Sequence, residues 1–142
     1  MRKLLLLISL LSFFGIANAA DFAEGQVWAY KTRPGEESST LLINKVESHP
    51  KLGKIFHISL SGVIVKNPHF AGGVTSELPH FPVSQTTLEK SVTKLLRKSQ
   101  PNAEYVEGYK EWKRAFDQGK AGIFTITVSE IVDVVETAVN KQ

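Results

Sequence analysis

The chain contains no cysteine. That excludes disulfides, a thiolate nucleophile, thiolate-ligated metal and a lipid anchor carried on a cysteine. Phosphate-cradling glycine loops are missing too. Gly72-Gly73 is an isolated pair and fits neither G-x-G-x-x-G nor G-x-x-x-x-G-K-[ST]. The four histidines, His49, His57, His69 and His80, show no H-x-H, H-x-x-x-H or H-E-x-x-H spacing, so neither a metal nor another cofactor is expected. No G-x-S-x-G nucleophile turn occurs. After residue 20 no apolar run approaches the roughly 20 residues of a membrane-crossing helix.

What is present begins with an address. Arg2 and Lys3 precede an apolar stretch from Leu4 to Ile16, and Ala17-Asn18-Ala19 is a small-x-small cleavage site. This is the pattern of a secretory signal peptide. The expected product is one domain, Ala20 to Gln142, periplasmic or secreted. Without the charges of Arg2 and Lys3 the formal net charge falls from +3 to +1, so nothing points to nucleic acid. An exported domain without disulfides depends on its apolar core for stability.

The mature segment changes period once. QVWAYKT (26–32), TLLINKVE (40–47) and IFHISL (55–60) alternate apolar and polar residues as half-buried strands do. Val63-Ile64-Val65 continues them after a break at Gly62. Pro34-Gly35 and Pro50 with Gly53 punctuate the connections, which are short enough for an antiparallel meander. From Ser84, a good N-cap, the sequence SQTTLEKSVTKLLRKS places Leu88, Val92 and Leu95 at helical spacing. A second helix, about Glu104 to Gln118, lines up Tyr105, Tyr109, Trp112 and Phe116 on one face, the spacing of a core-facing stripe. GIFTITV (122–128) reads as a fifth strand, and Ser129 opens a last helix. Strands and helices are segregated. The expected class is α+β: an antiparallel meander of about four to five strands packed by two to three helices.

The segment NPHFAGGVTSELPHFPVS (67–84) has three prolines, two histidines and no clean period. It reads as an ordered connector pinned by Phe70 and Phe81, and long connectors often carry function. His57, Ser59 and Ser61 share one strand face. Residues two apart on a strand do not form a nucleophile–base pair, so a polar outer face is the expectation. Lys90, Lys94, Arg97 and Lys98 form a basic helix face, which the acidic edge Glu130, Asp133 and Glu136 is placed to neutralise.

YKTRPGEESSTLLINKVE together with KIFHISLSGVIVKNPH resembles a family of small uncharacterised exported bacterial proteins. The resemblance covers most of the mature chain. It implies no activity, cofactor or catalytic residue.

Size, export and missing motifs favour a non-enzymatic binding or accessory protein with a protein partner in the cell envelope, such as an inhibitor or immunity protein. The alternative is a small envelope hydrolase using His57 or the His69–His80 loop. Candidate partner-binding residues are Arg33, Glu36 and Glu37 in the Pro-Gly turn and His69, Phe70 and His80 in the irregular segment. Export has a direct test: the intact mass of envelope-derived protein should begin at Ala20, and full-length chain in the membrane pellet would refute cleavage.

Overall fold

The computed structural model describes residues 21–141. The segment expected to be a leader, with its expected cleavage site, lies outside the described residues. The elements in order are β1 (Gln26–Tyr30), β2 (Thr40–His49), β3 (Gly53–Lys66), β4 (Val74–Ser84), α1 (Gln85–Ser91), β5 (Val92–Lys98), α2 (Tyr105–Asp117) and α3 (Val128–Asn140). The strands form one sheet of order β4-β3-β2-β1-β5, antiparallel throughout. The class is therefore α+β, as the pattern of the sequence implies. No helix among the described residues is long and apolar enough to cross a membrane.

Alternation gives the sheet two unlike faces. Trp28, Tyr30, Leu41, Ile43, Phe56, Ile58, Leu60, Phe81 and Val83 are buried on one face with Leu88 of α1 and with Val128, Ile131 and Val132 of α3. This is the core. Ser84 caps α1 by accepting from the Thr87 amide, and Thr127 caps α3 by accepting from the Glu130 amide. The Thr87 hydroxyl donates to Ile126 O at 2.7 Å, joining the two helix starts. The other face carries Lys45, Glu47, His57, Ser59 and Ser61, and α2 lies across part of it.

Three elements differ from the periodicity. First, 67–84 is mostly strand: residues 74–84 pair with β3 as an edge strand. An edge position tolerates Pro79 and Pro82 because half of its backbone groups need no partner. A register shift between Ile58 and Leu60, opposite Pro79 and His80, disrupts the period of two. Second, the helix expected from Ser84 stops at Ser91. Val92 to Lys98 become β5, which pairs with β1 and gives that short strand its second neighbour. Leu88 is fully buried, whereas Leu95 and Leu96 are exposed, so the helical spacing of the leucines was not one packed stripe. Tertiary pairing outweighed local preference. Third, GIFTITV forms only one parallel bridge, Val83 with Phe124. It continues the β4 edge through Ser84 N to Phe124 O and Phe124 N to Pro82 O, each 2.9 Å.

β3 runs unbroken through Gly62. That residue has φ +84°, and a Cβ there would lie 3.2 Å from Ser39 Cα, so glycine lets the 36–39 turn press on the strand.

The turn is held by charge. Arg33 makes a two-pronged contact with Glu36, Nε to Oε1 at 2.8 Å and Nη2 to Oε2 at 3.0 Å. Its Nη1 reaches Asp133 and Glu136 of α3, each at 3.2 Å. Glu36 is only 2 % exposed. Burial alone would raise its pKa, but Arg33 and the Ile64 amide overcome that and hold it below the usual carboxylate range. Of the acidic edge of α3, Asp133 and Glu136 thus pair with Arg33 rather than with the basic residues of α1 and β5, and Glu130 accepts from the Thr127 hydroxyl. Removing the guanidinium strands a buried carboxylate, a loss of about 3–5 kcal/mol. Arg33→Ala should lower unfolding free energy by that order in denaturant titration, while exposed Glu37→Ala should stay within about 0.5 kcal/mol of wild type.

Candidate functional site

His57 is the least expected residue on the polar face: it is 0 % exposed. Its place on interior strand β3 explains half of this, and α2 the rest. Three ionisable groups converge from three strands. His57 Nδ1 lies 2.9 Å from His80 Nε2, and the rings stack with centroids 5.2 Å apart and 13° between planes. His57 Nε2 lies 2.8 Å from Glu47 Oε1. That approach is off the hydrogen-bond direction, so neither atom has a well-aligned partner. It counts as electrostatic contact rather than a directed bond.

Charge decides the tautomer. A bare Nε2 lone pair facing the Glu47 carboxylate would be repelled, so the Nε2 proton belongs on that side. His57 Nδ1 then accepts from His80 Nε2–H, and His80 Nδ1 carries the remaining lone pair. The order is carboxylate, imidazole, imidazole.

Two irregularities create this geometry. The β2–β3 register shifts by one between Ile43 and Lys45, a bulge at Asn44. The Asn44 amide donates to Ser59 Oγ at 2.7 Å, and Ser59 in turn donates to Pro79 O at 2.7 Å. Together with the Pro79–His80 irregularity in β4, these bonds fix both histidine-bearing strands at the level of the ring pair.

The roof is aromatic. Tyr109 and Trp112 meet His57 edge-on at centroid distances of 4.8 and 4.9 Å. Trp112 stacks on Phe116 at 4.6 Å and donates its indole N–H to Gly122 O at 2.8 Å. Phe116 meets His49 edge-on at 5.5 Å. No α2 residue is fully buried, so the stripe covers polar side chains instead of entering the core. Gly108 sets how close α2 comes: a Cβ there would lie 3.0 Å from His80 Cβ. A mid-helix glycine costs about 1 kcal/mol of helix propensity, and here it makes room for the imidazole. That glycine, inside an otherwise helical pattern, was the sequence signal for the contact.

Burial pushes the His57 pKa down, Lys45 and Lys113 act in the same direction, and Glu47 opposes them. Burial, followed by His57, takes His80 down to about 4. Desolvation first, and then Glu47, push Tyr109 up. The cluster is neutral imidazole beside a carboxylate, with His57 fully covered and His80 and Glu47 half-buried. His57 has no surface with which to meet a substrate.

The sequence-based candidates separate into three places. Arg33 and Glu36 are engaged with each other, while Glu37 is exposed with Oε1 accepting from the Gly35 amide at 2.9 Å. His69 and Phe70 lie at the apex of the β3–β4 hairpin. His80 lies beneath α2, paired with His57 and not with His69. His57 and Ser59 lie on the polar face their alternation implied but are buried there, and Ser61 alone is exposed and donates to Glu77 at 2.7 Å. Among the described residues no group of histidines and carboxylates has the arrangement of a metal site.

The apex is ordered by its own backbone. Asn67 N–H donates to Gly73 O and Gly73 N–H to Phe70 O, each at 2.9 Å. The Asn67 side chain accepts from the His69 amide and donates to Thr75 Oγ1, each at 3.0 Å. Phe70 nevertheless stays 57 % exposed, with Ile64 at 52 % and Val74 at 39 % lower on the hairpin.

No protein-family model, curated protein or solved structure matches the chain.

The low pKa values of the ring pair fix a sign. The unfolded chain binds protons near pH 6.5, while the folded chain refuses them until His80 titrates at about 4. Their stabilising contribution is complete above about pH 6.5 and is lost progressively as pH falls towards 4. The denaturation midpoint should therefore drop between about pH 7 and pH 5, and His80→Gln should flatten that slope. Equal slopes in both proteins would contradict the assignment.

Proposed function

We propose that this is an exported, non-enzymatic binding protein of the cell envelope, and that the apex of the β3–β4 hairpin engages a protein partner. The observation that carries the reading is Phe70: a large aromatic side chain held in solvent by a turn whose backbone is locked. Such a residue gives up little conformational freedom on binding, which is what an interface anchor needs. Ile64 and Val74 extend the apolar surface down the hairpin, and His69 adds a polar rim. A two-stranded arm with an aromatic tip suits insertion into a cleft, the mode of an inhibitor or immunity protein acting on an envelope enzyme.

A hydrolase built on His57 or His80 has less support. A general base must come within hydrogen-bond reach of the substrate proton. His57 is enclosed by Glu47, His80, Tyr109 and Trp112, and His80 lies against Gly108.

Capture from envelope extract tests the reading. Phe70→Ala should weaken the captured partner by more than about 1 kcal/mol, or about fivefold in Kd, without lowering the melting temperature. Trp112→Ala should do the opposite, lowering the melting temperature while leaving the affinity of the folded fraction intact. Loss of the partner by a fully folded Trp112→Ala protein, with Phe70→Ala neutral, would move the binding face to α2.

A further inference from the structure

The polar face of the sheet is only partly roofed. α2 covers it over His57 and His80. The segment 99–104 covers it near β1, tied down by Ser99 N–H to Gly25 O at 2.7 Å and Asn102 N–H to Asn44 Oδ1 at 2.8 Å. Beside this segment lies a groove of about 130 Å³ that reaches from Arg97 to Glu77.

Strand register determines its lining. Arg97, Val27, Leu42 and Ser59 stand opposite one another on β5, β1, β2 and β3. Thr40, Ser61 and Glu77 form the next row, on β2, β3 and β4. Side-chain alternation sends both rows to the face that bears His57. The floor is thus apolar at Val27 and Leu42, with the Thr40 and Ser61 hydroxyls beside it. Ser59 is already committed to Asn44 and Pro79. The two ends carry opposite charges on the two edge strands of the sheet. Among the described residues neither Arg97 nor Glu77 forms an ion pair. The Ser61 hydroxyl orients the Glu77 carboxylate without neutralising it.

We infer that this groove binds a short zwitterionic peptide of two or three residues, with its ammonium at Glu77 and its carboxylate at Arg97. The charges select this class. A phosphate or other pure anion meets repulsion at Glu77, a polyamine meets it at Arg97, and a neutral sugar uses neither. Arginine's planar fork matches a terminal carboxylate. Length selects further. Four strand intervals of about 4.8 Å separate the β5 and β4 backbones, and both side chains reach inward. Charges carried on opposite edge strands call for a ligand whose own charges are farther apart than those on the one carbon of a free amino acid, and two or three residues at about 3.3 Å each supply that length. The Thr40 hydroxyl faces the peptide amides, the Ser61 oxygen, whose proton goes to Glu77, can only accept from them, and small side chains rest on Val27 and Leu42. The site is separate from the hairpin apex and does not depend on the reading proposed for it.

The probe is trialanine, titrated into the full exported chain and followed by backbone amide NMR. The amides of Leu42, Ser59 and Ser61 should shift, and N-acetyl-trialanine and trialanine amide should each bind about tenfold more weakly, as loss of a charge-assisted contact implies. Arg97→Gln should erase the difference between trialanine and its amide but keep the effect of acetylation. Glu77→Gln should do the reverse. Both side chains are exposed, so an unchanged melting temperature is the expected control. Saturation without shifts in the groove, equal affinity for the blocked peptides, or shifts confined to another surface would each overturn the assignment.

Discussion

A fully buried imidazole has to find its partners within the protein, because water cannot reach it. His57 has a hydrogen-bond partner in His80 on one side and an electrostatic contact with Glu47 on the other, and much of the polar half of the fold follows. The bulge at Asn44 sets Lys45 opposite His57, and Glu47, two residues on along the same face, reaches the His57 ring diagonally. His80 faces His57 because β4 is irregular at Pro79–His80. Tyr109 and Trp112 then exclude water from the His57 ring, and Gly108 lets their helix approach. The apolar face needs no such arrangement, since burying aliphatic groups is favourable in any orientation.

Charge is distributed along the same division. Arg33 gathers Glu36, Asp133 and Glu136 at one end of the molecule and ties the first turn to the last helix. Lys90, Lys94, Arg97 and Lys98 are left with no ion pair among the described residues. On an edge strand such as β5, cations also discourage pairing with further strands, and Arg97 is one of the residues lining the groove. The hairpin apex is different again: its order comes from backbone hydrogen bonds within the turn, which leaves Phe70 free of the core.

Much of the fold was legible. Alternation marked β1, β2 and β3, the aromatic spacing marked α2, and Ser84 marked a helix start, whereas Ser129, the expected start of the last helix, lies inside α3, whose cap is Thr127. The site was far less so. Arg33 and Glu36 read as partner-binding residues of a turn because nothing local announces the carboxylates of α3 about 100 residues later. His57 read as an outward residue because alternation says which face a side chain takes and nothing about what will cover that face. His80 was hidden by neighbouring prolines, which suppress strand character wherever they occur and are harmless on an edge.

The division has a physical basis. The sequence alone determined what depends on neighbours within a few residues: a leader pattern, the periods of strands and helices, caps and turns, and the absence of thiol and phosphate-loop chemistry. Tertiary structure decided what depends on pairing across the chain. Val92 to Lys98 have acceptable helical spacing, and they became a strand because β1 had backbone groups to pair with. The aromatic stripe of α2 has the period of a core helix, and it became a roof over histidines because the other face of the sheet was already filled by α1 and α3. Local free-energy differences of this kind are below about 1 kcal/mol per residue. A strand's worth of hydrogen bonds or a buried face exceeds that, so the long-range partner prevails.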